Sequence, residues 1–277
     1  MKLHLPLKAL LLSSLALVAT TQASSIDFND FSSVSGLTLN GSTAQAGNVL
    51  RLTPASGWQS GSAFSTTTLA LNNLNSFSTR FQFQITGSGG IGDENGSGAD
   101  GLVFVVQTVS NNVGGAGGGI GYQGINPSVG IEFDTYNNGG WDDNNGNHVG
   151  VDLNGNIDSV VQAGVLPRFN DGNIWTAWVD YNGSTNQLEV RVNQTGLRPG
   201  GATLTHNVNL ATLLGTPNAY VGFTSGTGAA WGNHDILNWE FESNYAPIGS
   251  VPEGSSTLPL LALGLAGLGW LYRSRLR

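Results

Sequence analysis

Short apolar runs, separated by turns rich in glycine and asparagine, extend from residue 24 to residue 245. Within residues 78–85, apolar and polar side chains alternate, which places Phe81, Phe83 and Ile85 on one face of a predicted strand. Within residues 24–245, helical periodicity of useful length is absent, and only residues 211–214 are expected to form a short helical turn. Many short strands joined by tight turns predict an all-β protein, either a sandwich or a jelly roll.

Two other segments, residues 102–106 and 129–133, are continuous apolar runs, which indicates strands covered on both sides. Residues 175–181 and 188–192 flank Asn182-Gly183, a dipeptide that favours a hairpin. The composition agrees with this pattern, because 41 of the 277 residues are glycine and 10% are charged. Hydrophobic residues make up 39% of the chain, so a core can be buried.

The charge of the chain narrows the choice of ligand. Residues 24–245 contain 17 acidic residues and five arginines, a net charge of −12. A nucleic acid partner is excluded because phosphates require a basic surface, whereas a cation or a neutral ligand is compatible. The absence of cysteine excludes zinc–thiolate sites, thiol nucleophiles and a lipoprotein anchor.

The N-terminal end differs from the body of the chain. Residues 1–23 are predicted to be a signal peptide, with positive charge from Lys2 and Lys8 and an apolar run over residues 10–19. Thr21 and Ala23 supply small residues at positions −3 and −1 of a cleavage site after Ala23. A membrane anchor is the alternative, which the short apolar run disfavours.

The C-terminal end has three parts. Residues 246–257 are predicted to be a linker with a V-P-E motif at 251–253, and residues 258–277 an apolar anchor helix with a basic tail. This tail resembles the PEP-CTERM sorting signal of Gram-negative bacteria, although Gly254 replaces the second proline. The resemblance implies recognition by an exosortase-type protease. It also implies export to the cell envelope, with membrane anchoring or release into extracellular polysaccharide.

Residues 129–152, VGIEFDTYNNGGWDDNNGNHVGVD, contain a concentration of candidate metal ligands. Glu132 and Asp134 are two apart on a strand and therefore point the same way, and His148 opens the next strand. The polar loop between these strands supplies Asn138, Asp142 and Asp143. Oxygen ligands suit calcium and an imidazole suits a transition ion, so the pattern predicts two neighbouring metals. An ordinary turn rich in Asp and Asn is the alternative.

This stretch resembles the metal loop of legume (L-type) lectins, E-x-D-T-[YF]-x-N followed by an Asp and then H-[IV]-G-[IV]-D. The resemblance implies a concanavalin A-like jelly-roll β-sandwich over residues 24–245, with Ca²⁺ and Mn²⁺ or another transition metal bound. The ligands implied by position are Glu132, Asp134, Tyr136, Asn138, Asp143 and His148. Asp143 is preferred because it lies five residues before the histidine. Asp142 is the alternative, because many family members carry a tryptophan directly before this Asp, as Trp141 is here.

Further segments extend the resemblance over residues 25–245. Residues 98–104, GADGLVF, are similar to the family's A-D-G-[IL]-A-F-F, in which the Asp follows a cis peptide bond. Residues 220–225 and 234–241 are similar to V-G-F-S-A and H-D-V-L-S-W-S-F, and the specificity loop between them, residues 226–233, is short. The implied carbohydrate contacts are Asp100, Gly118, Tyr136 and Asn138.

We therefore expect a calcium- and manganese-dependent carbohydrate-binding protein whose partner is a glycan or exopolysaccharide, and not an enzyme. Trp141 or Trp231 either extends the sugar platform or packs in the core, and His234 is interpreted as structural. One alternative function is a glycoside hydrolase, but the second glutamate of an E-x-D-x-x-E strand is missing after Glu132. The other is a surface or matrix protein that kept this fold without binding sugar. The preferred sugar and the oligomeric state stay open.

Overall fold

A computed structural model describes residues 24–72, 74–112 and 117–249 of the chain. The predicted signal peptide (1–23) and the predicted anchor and tail (258–277) lie outside the described residues, as do residues 250–257 of the predicted linker. Within the part that is described, no helix has the length and apolar character needed to cross a membrane.

The described residues form eighteen strands and one short α-helix, with 3₁₀ turns at Gly117–Gly119 and Gly139–Asp142. The strands are β1 (Ser25–Phe28), β2 (Leu37–Gly41), β3 (Ala44–Ala46), β4 (Val49–Thr53), β5 (Ser60–Ser65), β6 (Leu69–Ala70), β7 (Phe77–Gly90), β8 (Gly92–Asp93), β9 (Gly96–Ser97), β10 (Gly101–Gln107), β11 (Ser128–Asp134), β12 (His148–Leu153), β13 (Val161–Gly164), β14 (Ile174–Asn182), β15 (Gln187–Asn193), β16 (Leu204–Asn207), β17 (Asn218–Gly226) and β18 (Ala230–Glu242). The helix is α1 (Leu210–Leu214).

The strands are arranged in two large antiparallel sheets. The first sheet has the order β16-β15-β14-β7-β18-β4-β3, and β1 also pairs with β18. The second sheet has the order β13-β12-β11-β10-β17-β5-β2, and β6 also pairs with β17. Strands β8 and β9 form a separate hairpin. The architecture is an all-β jelly-roll sandwich, as the sequence predicts.

The main core lies between the two sheets and is rich in phenylalanine. The alternation predicted for β7 is confirmed, because Phe81, Phe83 and Ile85 are all buried. Phe81 of the first sheet meets two rings of the second, Phe133 at a centroid distance of 5.7 Å and Phe223 at 4.9 Å. Such edge-to-face contacts add to the burial of apolar area and hold the sheets together.

A smaller apolar cluster covers the opposite face of the second sheet. It comprises Phe64, Val103, Val105, Ile120, Tyr122, Ile125 and Ile157. Much of this cover comes from residues 117–125, which follow β10 and fold back over it. Side chains on the outer face of β10 and β11 are therefore buried too, which explains the continuous apolar runs in these strands.

Two local predictions are confirmed with a change in detail. The helical turn forms as α1, with Asn209 accepting a hydrogen bond from Thr212 N at 2.9 Å and Gly215 in the left-handed region at φ 70°. The predicted hairpin joins β14 to β15, but its loop spans residues 183–186 instead of two residues. Gly183 serves close packing, because a side chain there would collide with the backbone of Leu74.

Candidate metal centre and binding pocket

The ends of β10, β11 and β12 meet at one edge of the second sheet. β11 ends at Asp134, which pairs with Gly101 at the start of β10 and with His148 at the start of β12. Because side chains alternate along a strand, Phe133 faces the main core while Glu132 and Asp134 face the opposite, covered side. The pairing of β11 with β12 therefore places Glu132, Asp134 and His148 together in one buried position.

Glu132, Asp134 and His148 form a compact triad. One ligand atom from each residue lies within 4.8 Å of the others, and all three side chains are buried. His148 Nδ1 lies 2.9 Å from the carbonyl oxygen of Asn145, which can only accept, so Nδ1 carries a proton. The other nitrogen, Nε2, lies 2.9 Å from Glu132 Oε1, so a proton or a metal ion must separate these two groups.

Two further residues extend the triad behind Glu132. Ser159 Oγ lies 2.7 Å from Glu132 Oε1 and 2.6 Å from Asp152 Oδ1. Asp152 is fully buried, and its Oδ2 has no hydrogen-bond partner among the residues that the structure describes. In the sequence, Asp152 was visible only as the end of the H-x-G-x-D motif. Nothing in the sequence indicated Ser159, because its contact with Glu132 depends on the conformation of the loop after β12.

Asp142 lies beside the triad and Asp143 does not, which favours Asp142, the alternative, over the preferred Asp143, and which of the two binds metal stays a prediction. The 3₁₀ turn ends at Asp142, whose buried carboxylate accepts a hydrogen bond from Asn138 N. Asp143 follows in the left-handed region at φ 49° and its side chain is exposed. The sequence spacing from His148 could not show that the side chains of Asp142 and Asp143 point in different directions, because that depends on the conformation of the turn.

The buried carboxylates influence one another strongly. Burial, with the charges of Glu132 and Asp142, raises the pKa of Asp134 well above its ordinary value. Burial also raises the pKa of Asp142 to about 6, and burial with the charge of Glu132 raises that of Asp152. Burial lowers the pKa of His148, but its hydrogen bond with Glu132 and that carboxylate's charge outweigh this and raise it. A bound cation would relieve this repulsion.

A surface pocket of about 180 Å³ opens next to this cluster. It is lined by all four residues implied as carbohydrate contacts, which are Asp100, Gly118, Tyr136 and Asn138. Its other lining residues are Trp58, Ile91, Ala99, Gly117, Gly228, Ala229 and Ala230. Strand pairing and loop packing thus bring together residues that lie far apart in the sequence.

Asp100 presents an available acceptor to this pocket. The Ala99–Asp100 peptide bond is cis, and the Asp100 backbone is held by Gly226 O at 3.1 Å and by Thr135 N at 3.1 Å. Its side chain is buried, and Oδ2 has no hydrogen-bond partner among the described residues. Burial and the charge of Asp142 raise the pKa of Asp100 to about 7. An acceptor held in this way can receive a hydroxyl of a ligand.

Gly118 and Asn138 are in close contact on another side of the pocket. A side chain at Gly118 would collide with the amide of Asn138 and would have to displace it from its place in the pocket. The loop that carries Asn138 is held by its own carboxylates, because Tyr136 N donates to Asp134 Oδ1 at 2.7 Å. The pocket and the triad therefore share one loop.

The hairpin formed by β8 and β9, here called the acidic hairpin, braces the same loop from outside. Asp93 Oδ2 accepts a hydrogen bond from Asn137 N at 2.9 Å, and Glu94 receives the Asn137 side chain at 2.9 and 3.0 Å. Glu94 Oε1 also lies 3.3 Å from Gly146 N. These hydrogen bonds were not predicted from the sequence, in which only the turn sequence D-E-N-G could have indicated a hairpin there.

The structure separates the roles of the candidate aromatic residues. Trp141 is exposed but does not line the pocket. Trp231 is half-buried, and side chains added at Gly57 or Gly89 would meet its ring, so it packs between two backbone segments. Trp58 lines the pocket and was missed by the sequence analysis. An aromatic residue within the turn-rich sequence P-A-S-G-W-Q was the one signal available.

His234 does not line the pocket, and its contacts are those of a structural residue, which agrees with the interpretation from the sequence. It is fully buried, and its Nδ1 lies 2.7 Å from Thr53 Oγ1. Thr53 Oγ1 lies 3.1 Å from Ser225 Oγ, which donates to the carbonyl of Gly101 at 2.7 Å. Burial lowers the pKa of His234 to about 3, so the ring is neutral at physiological pH. This chain of contacts links β18 to the residue that follows Asp100.

Comparison with known proteins identifies the family. A model of the legume lectin domain matches residues 23–255, and the chain therefore belongs to the legume lectin domain family. Agglutinin-2 of Cladrastis kentukea is 31% identical over 224 residues, which are 76% of this chain and 68% of that protein. The L-type lectin-domain containing receptor kinase VIII.1 of Arabidopsis thaliana is 33% identical over 222 residues, 77% of this chain. The chain spans only 28% of the length of that kinase.

Solved structures agree with this assignment. The lectin from Bauhinia forficata in complex with GalNAc aligns with a TM-score of 0.67 and 27% identity, covering 80% of this chain and 98% of that one. The basic winged bean lectin with Tn-antigen aligns with a TM-score of 0.68 and 27% identity, covering 80% and 98%. Family members of the same fold thus bind carbohydrate.

Proposed function

We propose that this protein is a carbohydrate-binding protein whose activity depends on calcium and manganese. The observation that carries the proposal is the pocket in which Asp100, Gly118, Tyr136 and Asn138 meet beside the buried triad. Relatives with this domain include an agglutinin and a lectin in complex with GalNAc, which supports a glycan as the ligand. A glycan or exopolysaccharide partner also suits the acidic charge of the chain.

The donor set fits two metal ions. Glu132 and His148 would hold a transition metal such as Mn²⁺, because a neutral imidazole nitrogen suits such an ion. Asp134 and Asp142 would help to hold both this ion and Ca²⁺, which prefers carboxylate and carbonyl oxygens. Tyr136 through its backbone carbonyl and Asn138 through its side chain would complete the calcium ligands. The bound ions would supply positive charge to the carboxylates and fix the loop that carries the pocket residues.

Each pocket residue has a distinct role in holding a sugar. Asp100 Oδ2, which lacks a partner among the described residues, accepts a hydrogen bond from a hydroxyl. The backbone N–H of Gly118 donates to another hydroxyl, and the Asn138 amide contributes a further polar contact. The ring of Tyr136 offers an apolar face for the C–H groups of the sugar. Because the loop would already be ordered in the metal-loaded protein, less conformational entropy would be lost when the sugar binds.

We propose binding without catalytic turnover. A retaining glycosidase needs two carboxyl groups about 5–5.5 Å apart, one free to attack and one free to donate a proton. Glu132 is already engaged by His148 and Ser159, and it is buried away from solvent. Release of reducing sugar from a polysaccharide by the purified protein would contradict this part of the proposal.

A glycan array tests the proposed function. The purified, folded chain is applied with Ca²⁺ and Mn²⁺, then after exposure to EDTA, and finally after metal is restored. We expect binding that disappears with EDTA and returns with metal, while circular dichroism shows that the sandwich stays largely folded. Asp100→Ala should abolish sugar binding without unfolding the protein. Full binding after verified metal loss would refute metal dependence, and no binding by the metal-loaded protein would favour the matrix-protein alternative.

We also propose that the protein is exported from a Gram-negative cell and held at the envelope through its C-terminal segment. The proposal is supported by the sequence of residues 1–23 and 246–277, which lie largely outside the described residues. Mass spectrometry of the protein from its host, after cell fractionation, tests it. We expect an N-terminus at Ser24 in the envelope or extracellular fraction, whereas an intact Met1 in the cytoplasmic fraction would contradict export.

A further inference from the structure

Trp58 stands exposed at the rim of the pocket. Among the tryptophans that the structure describes it is the most exposed, at 73%, whereas Trp175, Trp178 and Trp239 are buried. Ile91, another lining residue, is 53% exposed. Large apolar side chains in this position leave hydrophobic surface in water until a partner covers it.

The backbone holds Trp58 in place. Its φ of 59° lies in the left-handed region, which is unfavourable for a bulky residue and points to a role beyond packing. The conformation is fixed by hydrogen bonds from Trp58 N to Gly228 O at 3.1 Å and from Gln59 N to Thr227 Oγ1 at 2.9 Å. Below this loop, Trp231 packs against the position of Gly57. The indole is therefore presented on a rigid support.

Trp58 and Ile91 flank the same short segment, residues 227–230. Trp58 N donates to Gly228 O, and Ile91 N donates to Ala229 O at 3.2 Å. Gly228, Ala229 and Ala230 carry little or no side chain, so this wall of the pocket is low. The two apolar side chains are thus attached to one segment and are both exposed at the pocket.

The size of the pocket limits what it can enclose. At about 180 Å³ it is smaller than the pockets of roughly 300–1,000 Å³ that enclose drug-sized ligands. It suits a single sugar ring placed against Asp100, Gly118 and Asn138. Any further residue of a glycan must lie outside, and Trp58 and Ile91 are the large apolar side chains exposed there.

We propose that Trp58, assisted by Ile91, forms a second subsite that stacks against the sugar residue adjacent to the one in the pocket. The inference rests on the proposed carbohydrate-binding function and deepens it, because it makes an oligosaccharide or a polysaccharide end the preferred ligand. A sugar ring presents one apolar C–H face, and an exposed indole supplies a matching surface with little loss of conformational entropy. The polar groups of the adjoining pocket favour this occupant over an apolar peptide.

The test compares each monosaccharide with the di- and trisaccharides that it terminates, using the full chain loaded with Ca²⁺ and Mn²⁺. Calorimetric titration gives the Kd for wild type, Trp58→Ala, Trp58→Tyr and Ile91→Ala. Trp141→Ala is the matched control, since Trp141 is also exposed but lies outside the pocket lining. Thermal unfolding verifies that each variant is folded.

We expect Trp58→Ala to weaken oligosaccharide binding about tenfold, the loss typical of an aromatic anchor, and to weaken monosaccharide binding by a clearly smaller factor, because Trp58 also lines the edge of the pocket. Trp58→Tyr should retain most of the affinity, Ile91→Ala should cost about threefold, and Trp141→Ala should match wild type. An equal loss for both ligand sizes, or no loss for either, would overturn the second subsite.

The same experiment separates this inference from the proposed function. One outcome would refute only the second subsite: wild type binds monosaccharides, Asp100→Ala abolishes this binding, and Trp58→Ala leaves the affinity for every ligand unchanged. Wild type that binds no sugar with metal present would refute both, and binding of an apolar peptide at Trp58 in that case would identify the other occupant.

Discussion

The two sheets differ in how the charge of their buried acids is compensated. On the first sheet, Asp180 is buried, with Arg198 Nη2 2.5 Å from its Oδ2 and Arg191 Nη1 3.8 Å from the same atom. On the second sheet the carboxylate cluster, defined here as Glu132, Asp134, Asp142 and Asp152, is equally buried. Among the described residues, its one ion-pair partner is His148.

The difference between these groups shows which of them needs a ligand. Removing a charge from water is costly, and the arginines offset that cost for Asp180 within the chain itself. The carboxylate cluster lacks such a partner among the described residues, so compensation must come from protons or from metal ions. A self-contained ion pair is thus a structural feature, whereas an uncompensated group of carboxylates next to a pocket indicates a functional one.

The largest expected effect comes from breaking the pair on the first sheet. Asp180→Ala should lower the free energy of unfolding by about 3–5 kcal/mol, because it leaves the largely buried guanidinium of Arg198 without its carboxylate, whereas Arg191 keeps Glu189 at 3.0 Å. Urea titration measures this loss. Glu240→Ala is the control, because Arg80 and Glu240 form a more exposed pair and its loss should cost under about 1 kcal/mol. Equal, small effects for both variants would remove the contrast on which the comparison depends.

The next effect concerns the carboxylate cluster. Asp142→Ala should weaken metal binding about 100-fold, because it removes a proposed ligand of both ions, while the metal-free protein loses little stability. Isothermal titration with Ca²⁺ and Mn²⁺ provides the measurement. Asp143→Ala is a matched control one residue away, and it should bind metal like wild type because its side chain is exposed. A greater loss in Asp143→Ala would restore the original ligand assignment.

A third way of burying a titratable group appears at His234, which is kept neutral. Its folded-state pKa of about 3 lies below the unfolded value of about 6.5, so the unfolded chain takes up the proton first as the pH falls. The stability advantage of wild type over His234→Gln should therefore be complete above pH 7 and shrink by about 2 kcal/mol at pH 5. Urea titrations of both proteins at each pH measure it. A constant difference would show that His234 takes up protons equally in the folded and unfolded states, and thus that burial does not lower its pKa.

The smallest effect is expected at the acidic hairpin. Asp93→Ala removes the acceptor for Asn137 N and should destabilise the protein by about 1 kcal/mol, with a severalfold loss of metal affinity. Asp30→Ala, an exposed acid whose carboxylate accepts a hydrogen bond from Ser32 N, is the control. Differential scanning calorimetry and metal titration provide the measurements. Unchanged metal affinity in Asp93→Ala would show that the hairpin does not support the loop.

Much of the fold could be read from the sequence because strand signals are local. The alternation in β7 and the apolar runs in β10 and β11 follow directly from which faces of those strands are buried. Glu132 and Asp134 were predictable as neighbours, since residues two apart on a strand share a face. Their proximity to His148 followed from the resemblance to a known motif and is now visible in the pairing of β11 with β12.

Other features were decided only by the tertiary structure. The choice between Asp142 and Asp143 depends on a 3₁₀ turn that ends in a left-handed residue, and no periodicity records that change of direction. The pocket role of Trp58 depends on hydrogen bonds to Gly228, which is 170 positions away in the chain. Sequence alone thus determined the strands, the two-sheet sandwich and the set of candidate ligands, because these rest on local patterns. Which side chains face the site was decided by contacts between distant loops, because such contacts leave no regular spacing in the sequence.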